Sequence, residues 1–123
     1  MDLNAVEQLK NVLSSTSFEK DQIIYEEGEP TGDGYILSIG KVRLFKNAGD
    51  GNLTEKLTVN SMQVFGVWNS ILGNNVRLFT AKALEKSSAL IIPKATLDKK
   101  LSTLDPFLRL LFRQALTNSE HFE

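Results

Sequence analysis

The stretch IIYEEGEPTGDGYILSIGKVRLF, residues 23–45, consists of short apolar runs separated by glycine, proline and aspartate. Runs rich in Ile, Val, Tyr and Phe, bounded by such residues, predict antiparallel strands joined by tight turns. Runs of the same kind continue through EKLTVN (55–60) and LFTAKALEKSSALIIP (78–93), where the closing proline ends the pattern. We therefore expect about eight short strands over about residues 18–92.

Helices are expected on both sides of this strand region. Apolar residues recur at three- and four-residue spacing over residues 3–13, and the hydroxyl-rich SSTS at 14–17 ends that pattern. Two more helices are expected over about residues 94–119, the second capped by Asp105 with Pro106 at its first position. This order predicts a mainly β fold with flanking helices, a closed β-roll or barrel, in a single domain that spans all 123 residues.

Composition excludes several classes of protein. The chain contains no cysteine, so neither a disulfide framework nor a thiolate zinc site is expected. Its net charge of −1 lacks the basic footprint of a nucleic-acid-binding domain. The N-terminal MDLNAVEQLK lacks the basic start and apolar stretch of a signal peptide, and no apolar run approaches the ~20 residues that span a membrane. These features predict a cytoplasmic protein with neither a nucleic acid nor a membrane as partner.

Signatures of an enzyme are missing from the sequence. The single histidine, His121, lies near the C-terminus, where chains usually fray, so neither a Ser–His pair nor a metal site is expected there. Glu26 and Glu27 are adjacent, and side chains of neighbouring strand residues point to opposite faces, so they do not form an acid–base pair. GDGYIL (32–37) begins like a dinucleotide-binding glycine run but leads into a strand. We therefore predict a non-enzymatic protein without a metal.

Two segments together resemble the cyclic-nucleotide-binding domain, the sensor module of the bacterial catabolite activator protein and of the regulatory subunits of cyclic-AMP-dependent protein kinase. They are residues 23–45 and FGVWNSILGNNVRLFTAKA, residues 65–83. The matching features, in the family's order, are Gly28-Glu29, Tyr35-Ile36-Leu37, Gly40-Lys41-Val42, Phe65-Gly66 and Arg77. The resemblance covers about residues 18–116 and implies a jelly-roll-like β-roll, that is, a double-stranded β-helix.

The resemblance also implies an anion site around one arginine. By similarity, Arg77 takes the place of the arginine that binds the cyclic phosphate, and the backbone N–H groups of the turn at 66–69 favour the same anion. For Trp68, the alternatives are a core residue, a lid over the pocket and an exposed partner contact; core is the default for a large aromatic residue. The candidate ligands are cyclic AMP, cyclic GMP or another compact phosphate, and the candidate ligand-binding residues are Gly66, Val67, Trp68, Asn69, Arg77 and Leu78.

The sequence departs from the family where the ribose is bound. Val67 stands in place of the usual glutamate, which accepts a hydrogen bond from the ribose 2′-hydroxyl, and Leu78 replaces a small residue after the arginine. Losing one charged hydrogen bond costs about 1.5–3 kcal/mol, or roughly ten- to more than a hundred-fold in affinity. The chain also ends soon after its last helix, so no DNA-reading domain is expected. Two interpretations follow: a regulatory cyclic-nucleotide sensor, or a degenerate domain that serves as a protein-interaction adaptor.

The last helix carries more apolar surface than one contact with the roll requires. The stripe expected to face the roll consists of Leu108, Leu111, Phe112 and Ala115. Arg109 and Arg113 lie four residues apart and are expected on the solvent side. Three more residues widen the apolar face: Phe107, Leu110 and Leu116. Either the helix is buried on two sides, or a second copy of the protein or another partner covers a face made by Phe107, Leu110 and Leu111.

Overall fold

The computed structural model describes residues 11–117, which form eight strands and three helices. The strands are β1 (Ser15–Phe18), β2 (Ile23–Tyr25), β3 (Gly34–Ile39), β4 (Val42–Asn47), β5 (Leu53–Val59), β6 (Val64–Phe65), β7 (Thr80–Ala83) and β8 (Ser87–Ile92). The helices are α1 (Trp68–Leu72), between β6 and β7, followed after β8 by α2 (Lys94–Ser102) and α3 (Pro106–Thr117).

The strands form two four-stranded antiparallel sheets, with the orders β1-β8-β3-β6 and β2-β7-β4-β5. Apart from the β4–β5 hairpin, each connection carries the chain from one sheet to the other. This alternation is the arrangement of a jelly roll, in which two packed sheets share one core. The predicted fold, mainly β with flanking helices, is therefore confirmed.

The core lies between the two sheets, and in it large side chains pack against small ones. Val42 and Leu44 of β4 are completely buried and pair with Ala83 and Ala81 of β7. A branched side chain opposite an alanine lets two neighbouring strands pack without overlap. Phe65, at the end of β6, is also completely buried in this core. Its burial fixes the point from which the chain leaves the sheet and enters α1.

The N-terminal boundary of the roll differs from the sequence prediction. Residues 15–17, expected to end a helix, instead belong to β1, which pairs with β8 from Ser15–Leu90 to Phe18–Ser87. The hydrogen-bonded pairing with β8 outweighs the weak local preference of serine for turns. Of the predicted helix at 3–13, residues 3–10 lie outside the described residues, and 11–13 form a turn and a bend.

The last helix begins where the sequence predicts, but its apolar side is exposed instead of packed on the roll. Asp105 caps α3, accepting a hydrogen bond from the Phe107 N–H at 2.8 Å. The stripe expected to pack on the roll is instead exposed: Leu108, Leu111, Phe112 and Ala115. The arginine side of α3 faces the rest of the protein instead. Arg113 Nε donates to the Ile71 carbonyl of α1 at 3.0 Å, and Arg109 is half-buried. The side chain of Leu116 and the predicted end at 119 lie outside the described part.

Within residues 11–117, no helix has the length and apolar character needed to cross a membrane.

Candidate functional site

The guanidinium of Arg77 is buried beside the end of β2, the residue before β3 and the residue after β6. Arg77 is 4% exposed, and its terminal nitrogens donate to two main-chain carbonyls, NH1 to Gly66 at 2.9 Å and NH2 to Asp33 at 2.7 Å. The Tyr25 ring lies against it, with 4.0 Å between Cζ and the ring centroid. Arg77 therefore links the loop before β3 to the turn before α1 by hydrogen bonds, and its guanidinium lies over the Tyr25 ring.

Backbone hydrogen bonds from the β2–β3 loop fix the position of Arg77. The Gly28 N–H donates to the Arg77 carbonyl at 2.9 Å, and the Arg77 N–H donates to the Glu29 carbonyl at 2.8 Å. Gly28 has a φ of 89°, a conformation that a residue with a side chain rarely adopts. The glycine-acid turn recognised in the sequence thus holds the backbone from which the guanidinium extends.

Two glycines let the backbone come close to the guanidinium. A Cβ added at Gly32 would lie 3.1 Å from NH2 of Arg77, and one added at Gly66 would lie 3.2 Å from NH1. Both distances are shorter than ordinary van der Waals contact between heavy atoms. Because glycine occupies both positions, the guanidinium reaches the main-chain carbonyls directly.

The charge of Arg77 has no carboxylate partner within residues 11–117. A buried cation is costly unless an anion or several hydrogen bonds compensate it. The two carbonyls supply partial negative charge but no net charge. A guanidinium carries five N–H donors, so three remain beyond the two bonds to Gly66 and Asp33. Arg77 therefore contributes a buried positive charge with N–H donors beyond those bonded to the two carbonyls.

The tyrosines beside Arg77 stay neutral and leave its charge unbalanced. Burial raises the pKa of Tyr25 well above its usual value, although the nearby Arg77 charge opposes the shift. Burial also raises the pKa of Tyr35, again against the effect of Arg77. Neither phenol ionises near neutral pH, so neither neutralises the guanidinium.

Val67 fills the space where the family's glutamate is expected. It is buried, and its Cγ1 lies 2.5 Å from the position that a Cβ on Gly34 would take. Its side chain therefore packs onto the first residue of β3 and offers no hydrogen-bond acceptor. As the N-cap residue of α1, Val67 also makes no side-chain capping hydrogen bond.

Trp68 and Leu78, two other candidate ligand-binding residues, pack against the roll. Trp68 is half-buried on the main core, with its ring centroid 5.8 Å from that of Phe79 in an edge-on arrangement. Leu78 is half-buried against the same core, and its carbonyl accepts a hydrogen bond from Lys46 Nζ at 2.8 Å. Of the alternatives for Trp68, the structure shows a core contact.

Asn69 is the buried residue of α1, at 3% exposure. Its carbonyl accepts main-chain hydrogen bonds from Gly73 and Asn74, which close the C-terminal end of the helix. Its side-chain Nδ2 is buried and has no hydrogen-bond partner among the described residues. An apolar residue is the usual occupant of such an inward position.

Three components of the site were not expected from the sequence: Tyr25, Gly32 and Asp33. Asp33 contributes a main-chain carbonyl, which no residue type reveals, and it lies 44 residues before Arg77. Tyr25 ends a strand and is part of the core, so its sequence pattern is that of any buried aromatic residue. Among residues 11–117, no group of three or more histidine, aspartate or glutamate side chains is arranged to hold a metal ion.

Solved structures share this fold, whereas no curated protein sequence matches the chain. The EAL enzyme Bd1971 in its cyclic-AMP-bound form is 28% identical with a TM-score of 0.77, and the match covers 85% of this chain and 28% of that one. Its cyclic-GMP-bound form gives 28% identity and a TM-score of 0.76. The chain therefore spans little more than a quarter of that enzyme.

More distant structures show the same fold. The regulatory subunit of a cAMP-independent protein kinase A from Trypanosoma brucei is 21% identical with a TM-score of 0.74, covering 100% of this chain and 43% of that one. The c-di-GMP-responsive regulator CLP of Xanthomonas campestris is 16% identical with the same TM-score, covering 98% of this chain and 59% of that one.

The sequence profile of the cyclic nucleotide-binding domain matches residues 15–103, from the start of β1 to just past the end of α2. Domains of this family are generally regulatory. The match includes both β-sheets, Arg77 and α1, and it covers well over half of the chain. The chain belongs to the cyclic nucleotide-binding domain family.

Proposed function

We propose that the protein is a non-enzymatic sensor module that binds a cyclic nucleotide through Arg77. The observation that carries this proposal is the burial of the Arg77 guanidinium without a carboxylate partner in the described chain. The phosphate lies between Arg77 and the turn at 66–69, where it supplies the negative charge that the site lacks. Cyclic AMP and cyclic GMP are the first ligands to test, since two related structures contain them.

The donors left on Arg77 support a two-pronged contact with a phosphate. Hydrogen bonds between a guanidinium and a phosphate are charge-assisted and frequently bidentate. The Tyr25 ring and the two carbonyls hold the guanidinium plane in place, so little side-chain freedom is lost when the ligand binds. The site is therefore preorganised for an anion before any ligand arrives.

The ribose end of the proposed site is weak in this chain. Val67 packs onto Gly34, and no acidic residue is present in the first turn of α1. A ribose hydroxyl therefore loses a charged acceptor, which reduces affinity roughly ten- to more than a hundred-fold. We expect a dissociation constant weaker than that of family members that keep the glutamate, with the phosphate supplying most of the binding free energy.

Isothermal titration calorimetry with cyclic AMP and cyclic GMP tests the proposal. The wild type is expected to bind at least one of them, and Arg77→Ala is expected to lose at least about a hundred-fold in affinity, because two charged hydrogen bonds disappear. Arg43→Ala is the matched control, since Arg43 lies on β4 and donates instead to Thr58 and Glu55. A folded wild type that binds neither nucleotide, or an Arg77→Ala variant with unchanged affinity, contradicts the sensor proposal.

A second candidate function, an adaptor that binds a protein, is supported by the exposed apolar face of α3. This face comprises Phe107 (65% exposed), Leu108 (44%), Leu110 (52%), Leu111 (43%) and Phe112 (49%). Exposed apolar clusters of this kind are uncommon on monomeric proteins and usually mark interaction sites. The residues predicted as a partner face, Phe107, Leu110 and Leu111, all belong to it.

Light scattering on the wild type and on Leu110→Glu tests the adaptor function in its simplest form, a homodimer. Because Leu110 is half exposed, the variant is expected to keep the thermal midpoint of the monomer while it loses self-association. Thr96→Glu, on the exposed surface of α2, adds the same single negative charge and is the control for the charge change. A wild type that stays monomeric at high concentration contradicts the homodimer.

A further inference from the structure

A cavity of about 170 Å³ lies where α1, α2 and α3 meet, and it is called the three-helix cavity below. Its charged lining residues are Asp98 of α2 and Arg109 and Arg113 of α3, and Leu101 of α2 adds an apolar part. A water molecule takes up about 30 Å³, so the cavity encloses a ligand the size of roughly six waters. Pockets for drug-sized ligands begin at about 300 Å³. The three-helix cavity is therefore suited to a ligand smaller than a nucleotide.

The orientation of α3 brings positive charge to this cavity. Arg109 and Arg113 line it, whereas Phe107 and Leu110 of the same helix are exposed. The two arginines are four residues apart, and side chains at this spacing share one side of a helix. An amphipathic helix usually turns its apolar side toward the body of the protein. An anion in the cavity explains the reverse arrangement, because it attracts the arginine side of α3.

The side chain of Arg109 keeps most of its hydrogen-bond donors. It is half-buried, and among residues 11–117 its NH2 donates to the Leu104 carbonyl at 3.4 Å, a long contact. A guanidinium carries five N–H donors. No carboxylate of the described chain lies within ion-pair distance of Arg109. The acid in the cavity wall, Asp98, is already paired with Lys94, so positive charge is in excess there.

We propose that the three-helix cavity binds a small phosphate, either the free ion or the phosphate group of a short monoester. Arg109 donates paired, charge-assisted hydrogen bonds to the phosphate oxygens, and the charge of Arg113 adds to the attraction. The four oxygens of a phosphate point in different directions, so one ion reaches both arginines. Arg77, Gly66 and Asp33 are not among the lining residues, so this site is separate from the proposed nucleotide site and does not depend on it.

An NMR titration of the Arg109 Nε–H signal tests this proposal. Inorganic phosphate and glycerol 1-phosphate are added separately at constant ionic strength, with sodium chloride as the reference salt. The signal is expected to shift saturably with phosphate, with half-saturation at about 1 mM, the level that two charged hydrogen bonds support. If glycerol 1-phosphate also binds, the site accepts a monoester; if inorganic phosphate binds alone, the ligand is the free ion.

Substitutions in the wall separate a ligand contact from a packing role. Arg109→Gln is expected to weaken phosphate binding at least about ten-fold, and Arg109→Lys, which keeps the charge, to weaken it less. Arg43→Gln is the matched control, because Arg43 lies on β4 and does not line the cavity. Asp98→Asn removes a negative charge from the wall and is expected to tighten binding about three-fold or more. A purely structural role of Asp98 does not predict that gain.

The outcomes are distinct from those that test the nucleotide site. A phosphate that shifts the Arg109 signal no more than chloride does overturns the proposal, as does an Arg109→Gln variant that binds like the wild type. Phosphate binding that is lost in Arg77→Ala but kept in Arg109→Gln also overturns it, because the ion then lies at Arg77. If Arg109→Gln does not fold, Arg109→Lys and Asp98→Asn decide, since weaker binding in the first and tighter binding in the second are required.

Discussion

A double-mutant cycle between Gly34 and Val67 tests how the space beside the proposed anion site is filled. A methyl added by Gly34→Ala would lie 2.5 Å from Cγ1 of Val67, whereas carbon atoms normally approach to about 3.5–4.0 Å. Its next neighbours are the carbonyls of Phe65 and Gly66 at 3.5 Å, an ordinary contact. The Val67 side chain is therefore the one obstacle to an alanine at this position.

The expected free energies follow from this geometry. Gly34→Ala alone overpacks a buried site and is expected to destabilise the protein by about 2–3 kcal/mol. Val67→Ala removes two buried methyl groups, about 1.6 kcal/mol. In the double variant the new methyl occupies the space that the valine leaves, which restores about 0.8 kcal/mol and removes the overlap. If the two effects were independent, the double variant would lose about 4 kcal/mol in the free energy of unfolding. We expect it to lose about 1 kcal/mol, which gives a coupling energy near 3 kcal/mol.

Urea unfolding followed by circular dichroism measures all three variants against the wild type. A double variant more stable than Gly34→Ala confirms that Val67 packs onto β3 and that its side chain is not available to a ligand. Additive losses refute this reasoning, because residue 67 would then point away from Gly34. In that case the Val67 side chain is free to contact a ligand.

Four further predictions concern stability and dynamics. Gly40→Ala is expected to cost at least about 3 kcal/mol in the free energy of unfolding, because φ is 113° and the new Cβ would lie 2.7 Å from the Ser87 Cα. Gly49→Ala, with a φ of 92° and no atom within 4 Å, is expected to cost about 1–2 kcal/mol in the same urea titration. Burial raises the pKa of Tyr25, so this tyrosine ionises at a lower pH in the unfolded chain than in the folded one. The free energy of unfolding is therefore expected to fall as the pH rises above about 10, where the unfolded tyrosine ionises. In unfolding titrations between about pH 9 and 11, Tyr25→Phe is expected to make this fall shallower. Arg113→Ala removes a hydrogen bond from α3 to α1 and is expected to speed amide hydrogen exchange in α3 while β3 and β4 stay protected.

The sequence was sufficient to predict the roll because its strands carry strong local signals. The run at 34–39 is apolar and begins at a glycine turn, and the structure places a strand there. β1 was missed because STSF has no such signal, and Ser15–Phe18 becomes a strand through its pairing with β8. A segment whose structure depends on a partner 70 or so residues away cannot be recognised from its own residues.

The orientation of α3 shows a different limit of sequence patterns. Helical periodicity correctly identifies which residues share the apolar face, but it does not reveal which face meets the body of the protein. The assumption that apolar residues turn inward was wrong here, since Arg113 bonds to α1 while Phe107 and Leu110 are exposed. Around Arg77, likewise, the family resemblance pointed to the arginine, whereas the carbonyl and aromatic contacts that hold it depend on the tertiary fold.

Helix α1 connects the proposed anion site to the exposed face of α3. It lies between Gly66 and Gly73, whose φ angles of 78° and 79° place a left-handed residue at each end. Arg77 binds the Gly66 carbonyl before the helix, and Arg113 of α3 binds the Ile71 carbonyl near its end. A phosphate bound to the remaining donors of Arg77 lies beside the Gly66 contact, and any shift of α1 that follows its binding acts on the Arg113 contact. Under the proposed function, ligand and partner binding are therefore coupled, and by linkage a partner on α3 changes the ligand's affinity by the same factor as the ligand changes the partner's.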